Sequence, residues 1–426
     1  MSTAREAAAK ALMGVFAGGG YSNLVLDGAL GRAELSPRDR AFCSALFYGV
    51  VERCITLDWA ITAYSSVPLK KMDDTVLQIL RCAFYQLLYM PSVPQSAAVN
   101  EAVELCRKLG KGKTSGFVNG VLRSFLRADK AMPQPKDKLR ASEVHYSIPG
   151  PLIQLWRKGY GETTAHAILE GTLTRAPLFI RVNTCKTSPT ELTKLLTEAG
   201  VKVLPCHESA NALILEEAGS ITGLPGFAQG LFHVQDLASQ LCAQALDARP
   251  GMRVLDVCAA PGGKSFTAAQ TMENTGEVVA LDLYDHRAGL IAEGATRLGL
   301  SCIHASVGDA TVYDPSRGEF DRVLCDVVCS GFGILRRKPE IRYKPLKSID
   351  GIWQIQYNIL NTSSHYCKKG GRLIYSTCTL NPQENQEVVH RFLTEHPEYT
   401  LVEETTRLPG QGGSDGFFFA VLQRKP

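Results

Sequence analysis

From about residue 241 the chain alternates short apolar runs of strand character with helical stretches: RVLDVC, EVVALDL, FDRVLCDV and RLIYST. Strands apolar on both faces need cover on both, and helices between consecutive strands supply it. The pattern predicts a Rossmann-like α/β domain over residues 241–426, built on a mostly parallel, doubly wound sheet. Ligands of such sheets sit beyond the carboxyl ends of the strands. The residues just after each run therefore matter most.

Five strand ends carry chemistry-bearing residues. "VLDVCAAPGGKS", Val254 to Ser265, is a buried strand entering a glycine turn and then a helix, so backbone N–H groups point at whatever binds there. It matches neither G-x-G-x-x-G nor G-x-x-x-x-G-K-[ST], which points to a ligand without a pyrophosphate. EVVALDL ends in Asp282, placed like the acid that takes ribose hydroxyls, and Asp309 in "SVGDA" follows a further strand. FDRVLCD ends in Asp326, with Cys329 three residues on, and "YSTCTLNPQEN" puts Cys378 where an apolar strand runs out into a polar turn. A lone cysteine most often packs as a small hydrophobe, so the neighbours must carry any chemical assignment.

Upstream, the periodicity is helical. Val76, Ile79, Leu80, Ala83, Phe84, Leu87 and Leu88, and then Val99, Ala102, Val103 and Cys106, follow helical spacing. Ser36 before Pro37 reads as a helix start. An all-α bundle over residues 1–130 is predicted, closed by "ADKAMPQPKDK", which reads as a linker. Residues 141–240 mix strand patterns (FIRVNT, VKVLPC, ALILEE, LFHVQD) with one helix opened by the capping box Ser188 and Glu191, predicting a small α+β module.

Composition narrows the class. No run reaches the about 18 apolar residues of a membrane helix, and MSTAREAAAK lacks an apolar leader core, so the expected location is the cytoplasm. Thirteen cysteines with no C-x-x-C pair argue for reduced thiols and against a structural zinc site. Residues 1–140 carry 19 Lys+Arg against 12 Asp+Glu, a balance of +7 within a total of +4, so the remainder is −3. A basic amino-terminal third is compatible with a nucleic-acid partner. Nothing signals oligomerisation, and a monomer is expected.

C-A-A-P-G-G-K-S, "DVVCSGFGILRRKPEIRY" and "YSTCTLNPQEN" together resemble the RNA (cytosine-5) methyltransferase superfamily, which uses S-adenosylmethionine. The amino-terminal "YGVVERCITLDW", "LRCAFYQLLYMPSVPQSAAVNEAVEL" and "GFVNGVLRSFLR" resemble the antitermination-factor-like RNA-binding domain found on the branch acting on small-subunit (16S) ribosomal RNA, and the final "DGFFFAVLQRK" fits as well. The resemblance implies that Cys258, Ala259, Ala260, Pro261, Gly262, Gly263 and Lys264 wrap the methionine and ribose of the cofactor. It further implies that Asp282 takes the ribose hydroxyls, Asp309 the adenine amine, and that Asp326 closes the site near the methyl donor.

Carbon 5 of cytosine is too weak a nucleophile to take a methyl group directly. A thiolate adding at carbon 6 makes carbon 5 enamine-like, which is covalent catalysis. Residue chemistry says only that one of Cys329 and Cys378 is essential. The resemblance assigns Cys378 as nucleophile and Cys329 to product release, with Asp326 meeting the exocyclic amine of the base. Val328 stands where the family has proline, and Tyr343 where it usually has tryptophan, so the presentation of Cys329 is the point of departure.

A base inside a duplex cannot enter such a site, so the target cytosine is single-stranded or flipped out. Arg336, Arg337, Lys338 and Arg342 follow the Cys329 turn and are candidates to clamp RNA phosphates. Arg107, Lys108, Lys111 and Lys113 form a second basic group. The main rival, a non-catalytic RNA-binding assembly factor that retains the fold, draws on Val328; a further alternative keeps the chemistry but takes tRNA. An amino-group methyltransferase is disfavoured because DVVC occupies the place of its Asn/Asp-Pro-Pro-aromatic tetrapeptide.

Overall fold

The computed structural model describes residues 3–18 and 20–426. They form two compact units.

The helical unit takes in the residues up to Lys158 together with Arg337–Pro345. Helix Pro37–Glu52 opens as expected, with Ser36 Oγ accepting from the Asp39 N–H and Pro37 in the first turn. Helix Asp74–Tyr89 buries Val76, Ile79, Leu80, Ala83, Phe84 and Leu87, and helix Gln95–Lys108 buries Val99, Ala102 and Cys106. Both apolar stripes feed one core, in which Phe84 stacks on Phe125 at 4.5 Å between centroids.

Two features differ from expectation. The stretch read as a linker is tied down, because Trp59 Nε1 donates to Pro133 O (2.7 Å) and Tyr64 OH to Ala131 O (2.5 Å). Past it, helix Lys138–Tyr146 packs on helix Cys54–Tyr64, with Thr56 Oγ1 donating to Val144 O (2.6 Å), so the unit runs on beyond residue 130. Segment 337–345 belongs here for an equally local reason. Glu340 accepts from Ser22 Oγ (2.7 Å) and Ser22 N (3.3 Å) at the start of helix Ser22–Arg32. Arg342 Nη1 donates to Glu52 O (2.8 Å) and Tyr343 OH to Val51 O (2.7 Å) at the end of helix Pro37–Glu52. An anion at a helix start and cationic or neutral donors at a helix end satisfy backbone groups that helices leave open.

The second unit comprises Gly159–Arg336 and Leu346–Pro426 and holds two sheets. The smaller is antiparallel, built from β1 (Leu178–Val182), β2 (Lys202–Pro205), β3 (Ala212–Glu216) and β4 (Phe232–Val234) in the order β2-β3-β1-β4. Ile180 and Val182 share its core with Leu192 and Leu196 of helix Pro189–Glu198, whose capping box of Ser188 and Glu191 is formed.

The larger sheet has β5 (Arg253–Asp256), β6 (Glu277–Asp282), β7 (Ile303–Val307), β8 (Phe320–Asp326), β9 (Cys367–Thr377), β10 (Tyr399–Arg407) and β11 (Phe417–Arg424). Their order is β10-β11-β9-β8-β5-β6-β7, with β5 to β9 parallel and β11 antiparallel to both neighbours. The chain moves outward from β5 through β6 to β7 and then returns to β8 on the other flank of β5. That reversal opens a crevice at the carboxyl ends of β5 and β8. Among the described residues no helix is long and apolar enough to cross a membrane.

Candidate active site

Asp256 ends β5, and the chain then turns through a cis Ala260–Pro261 bond to Gly262, whose φ of +107 starts helix Gly263–Thr271. A Cβ at Gly262 would lie 2.3 Å from the Phe266 ring, so no side chain is tolerated there. Asp256 is 1% exposed; Ser265 Oγ donates to one of its oxygens (2.6 Å), while the other has no partner. Burial pushes its carboxyl up to about 7, and the Asp326 charge adds to the effect. Lys264 points back under the loop and donates to Asp326 Oδ2 at 2.5 Å. Burial alone would lower its pKa, but the neighbouring Asp326 raises it, so Lys264 stays a cation. Ser376 Oγ, paired in register with Asp326 across β8 and β9, donates to the other Asp326 oxygen at 2.7 Å.

Asp282, at the end of β6, is 5% exposed and accepts from Ala260 N (3.3 Å), fastening the glycine loop to the next strand. Its other oxygen meets Arg287 Nε at 3.1 Å. Asp309 is exposed and closes a turn on Thr311 N (2.9 Å) and Oγ1 (2.6 Å). Leu283, Tyr284, Val307 and Val312 beside these two acids are all about half exposed or more. Acids with an exposed apolar rim suit a nucleoside, whose ribose is polar and whose base is flat and apolar. Cys258 is held neutral by burial. Cys325, inside β8, is fully buried.

The two cysteines come together at the carboxyl ends of β8 and β9, with Cys329 Sγ 3.4 Å from Cys378 Sγ. The Cys378 contact and burial raise the Cys329 thiol well above its ordinary range, and Glu384 adds to this. Cys329 thus keeps its proton and can donate it toward Cys378. The loops carrying the two thiols interlock: Gly333 N donates to Cys378 O (3.0 Å) and Gly416 N to Gly333 O (2.9 Å). A Cβ at Gly333 would sit 2.0 Å from Gly416 O and 2.8 Å from Cys378 O. Val328 is 58% exposed, and its carbonyl accepts from Gln356 Nε2 (2.9 Å).

The basic residues expected to hold RNA divide. Arg336 is corrected: its side chain is 2% exposed and pairs with Asp415 (2.9 Å), with Gly413 O and Ser414 O also accepting from it. A guanidinium so placed closes a loop and does not face solvent phosphate. Arg342 is corrected too, being 1% exposed and committed to the end of helix Pro37–Glu52. Arg337 and Lys338 are exposed, as are Arg107, Lys108 and Lys113; Arg107 pairs with Glu104, and Lys111 is half-buried against Asp73 (2.6 Å). Sequence reasoning missed Glu384, Ser330 and Gln356, buried polar residues packed around Cys329. Glu384 lies within the "NPQEN" already singled out, but a polar run gives no sign of which member turns inward.

The comparisons with known proteins agree along the whole chain. Residues 243–423 match the model of the 16S rRNA methyltransferase RsmB/F, residues 2–127 that of the NusB family, and residues 148–222 that of the RsmF/B-like ferredoxin-like domain. A probable ribosomal RNA small subunit methyltransferase B of Bacillus subtilis is 36% identical over 100% of this chain and 99% of its own. The chain belongs to the RsmB/F family of 16S rRNA methyltransferases. A Salmonella paratyphi A ribosomal RNA small subunit methyltransferase B is 33% identical over 92% of each chain. The crystal structure of PH0851, 24% identical, shows the same fold over 99% of both chains at a TM-score of 0.83. As an RsmB/F family member the protein is a methyltransferase that depends on S-adenosylmethionine.

Proposed function

We propose that the protein methylates carbon 5 of a cytosine in 16S rRNA through a covalent bond from Cys378 to carbon 6. One observation carries this reading: two thiols 3.4 Å apart beyond the ends of β8 and β9, with the last residue of β8, Asp326, a carboxylate braced by a buried lysine. The cofactor supplies a methyl group on a positively charged sulfur. Residues 258–264, Asp282 and Asp309 are the groups that hold it, Asp282 exchanging Arg287 for ribose hydroxyls.

The protein's own groups account for the remaining steps. Cys378, as thiolate, adds to carbon 6, and the C5–C6 π electrons make carbon 5 the nucleophile; with the cofactor bound, carbon 5 would take the methyl group as the methyl–sulfur bond breaks and its electron pair stays on sulfur as a neutral thioether. Asp326, fixed by Lys264 and Ser376, accepts from the exocyclic amine and orients the ring. Carbon 5 must next lose its proton. The C–H electron pair restores the double bond, and the C6–S pair returns to Cys378. With Cys378 bonded to carbon, the two sulfurs no longer compete for one proton, so Cys329 can release its own to water and take the one from carbon 5. The target cytosine is single-stranded or flipped. Arg337, Lys338, Arg107 and Lys108 are the remaining candidates for backbone phosphates, and the protein acts as a cytoplasmic monomer.

The test is incubation with methyl-labelled cofactor and deproteinised 16S rRNA, with the label mapped. Cys378→Ala gives no label, while Cys329→Ala accumulates a protein–RNA adduct that survives denaturing electrophoresis. A Cys378→Ala enzyme that methylates normally beside an inactive Cys329→Ala enzyme would exchange the two roles.

A further inference from the structure

Glu384 is fully buried, and all the hydrogen-bonding capacity of its carboxylate is used. Oε2 accepts from Ser330 N (2.8 Å) and Gln356 Nε2 (2.9 Å), and Oε1 from Ser330 Oγ (2.5 Å) and Asn381 Nδ2 (2.9 Å). No cation is among these partners. A carboxylate without a counter-ion is costly to bury, and four donors from three separate segments are what offset that cost.

Those donors surround the two thiols. Ser330 directly follows Cys329, and its hydroxyl also meets Thr379 Oγ1 (2.6 Å), the residue after Cys378. Thr379 Oγ1 in turn accepts from Phe332 N (3.2 Å). Gln356, on helix Ile352–Ser364, reaches both Glu384 and Val328 O, the residue before Cys329. Tyr375 OH fixes the Glu384 backbone carbonyl from within β9 (2.5 Å). The Cys329 loop has no residue of fixed φ between Asp326 and Gly331, and Val328 at its apex is open to solvent. Its conformation is therefore set by this polar cage.

We infer that Glu384 is a positioning residue: it fixes the Cys329 loop against Cys378 and so governs resolution of the covalent adduct. Fully buried, it has no exposed surface with which to meet base or cofactor. This inference rests on the assignment of Cys329 to adduct resolution. A weakened cage leaves cofactor binding and formation of the adduct in place, but lets Cys329 drift from the carbon-5 proton.

The experiment measures methyl transfer and the decay of the protein–RNA adduct for wild type, Glu384→Gln, Ser330→Ala, Cys329→Ala and the double variant Cys329→Ala/Glu384→Gln. Binding of S-adenosylhomocysteine reports the integrity of the fold. Glu384→Gln lowers kcat about 10- to 100-fold with a parallel fall in KM for RNA, leaving kcat/KM little changed, and lengthens adduct lifetime; Ser330→Ala does the same more mildly, and so stands in should Glu384→Gln fail to fold. In the Cys329→Ala background, Glu384→Gln adds less than about twofold, because the group it positions is gone. A full, independent slowing in that background, or normal adduct decay in single variants that bind S-adenosylhomocysteine normally, overturns the inference. Absence of any adduct with Cys329→Ala would instead sink the covalent reading itself, and this inference with it.

Discussion

Asp256 holds a proton that a solvent-exposed aspartate would have lost, since burial lifts its carboxyl to about 7 against about 3.9 in the unfolded chain. Between those values the native state binds the proton and the unfolded state does not, so this group's contribution to stability is full below about pH 4. It declines as pH rises and is lost above about 7. Asp256→Asn abolishes that decline: urea midpoints of variant and wild type, compared from pH 5 to 8, diverge in the variant's favour up to about pH 7 and then run parallel. Lys264→Met tests the opposite situation, a buried cation whose partner Asp326 is left with Ser376 alone. Because the Asp326 side chain is 30% exposed and partly solvated, the expected loss is about 1–3 kcal/mol by urea denaturation, with several-fold weaker S-adenosylhomocysteine binding by calorimetry. The acids at the strand ends were visible in the sequence because each closes an apolar run. The lysine's inward turn was not, since Lys264 in a glycine loop reads equally well as a solvent-facing cation.

Among the elements, the interleaved glycines join the ends of β8, β9 and β11. Gly333→Ala places a methyl group against Gly416 O and Cys378 O, which forces the two thiol-bearing loops apart. Methyl transfer falls at least tenfold, and thermal unfolding records a loss of about 1–3 kcal/mol. Four of the five parallel strands, β5, β6, β8 and β9, were legible because each holds a compact apolar run, whereas β7 is largely exposed, and the capping box at Ser188 and the start at Ser36 follow from local chemistry alone. The antiparallel edge was less so. β10, Tyr399–Arg407, is largely polar and exposed, and nothing in its pattern separates an edge strand from a loop. The buried polar cage around Cys329 was also hidden, because its members come from three segments far apart in sequence.

For the molecule as a whole, segment 337–345 carries the clearest consequence. It lies in the chain between β8 and β9, yet its side chains cap two helices of the helical unit. A fragment beginning at residue 159 leaves Glu340, Arg342 and Tyr343 without those partners, and limited proteolysis should cut it within 337–345 at a site protected in the full-length protein. The same commitment explains why Arg342, read from sequence as a phosphate clamp, serves the fold instead: a run of cations gives no hint that one of them ends a distant helix. The covalent step itself is tested most directly by mass spectrometry of the protein after reaction with S-adenosylmethionine and an rRNA fragment carrying 5-fluorocytidine, whose fluorine blocks the final elimination. A nucleotide adduct with one added methyl group on the peptide containing Cys378 is the predicted product; the same mass on the Cys329 peptide, or no adduct while unmodified RNA is methylated, would contradict it.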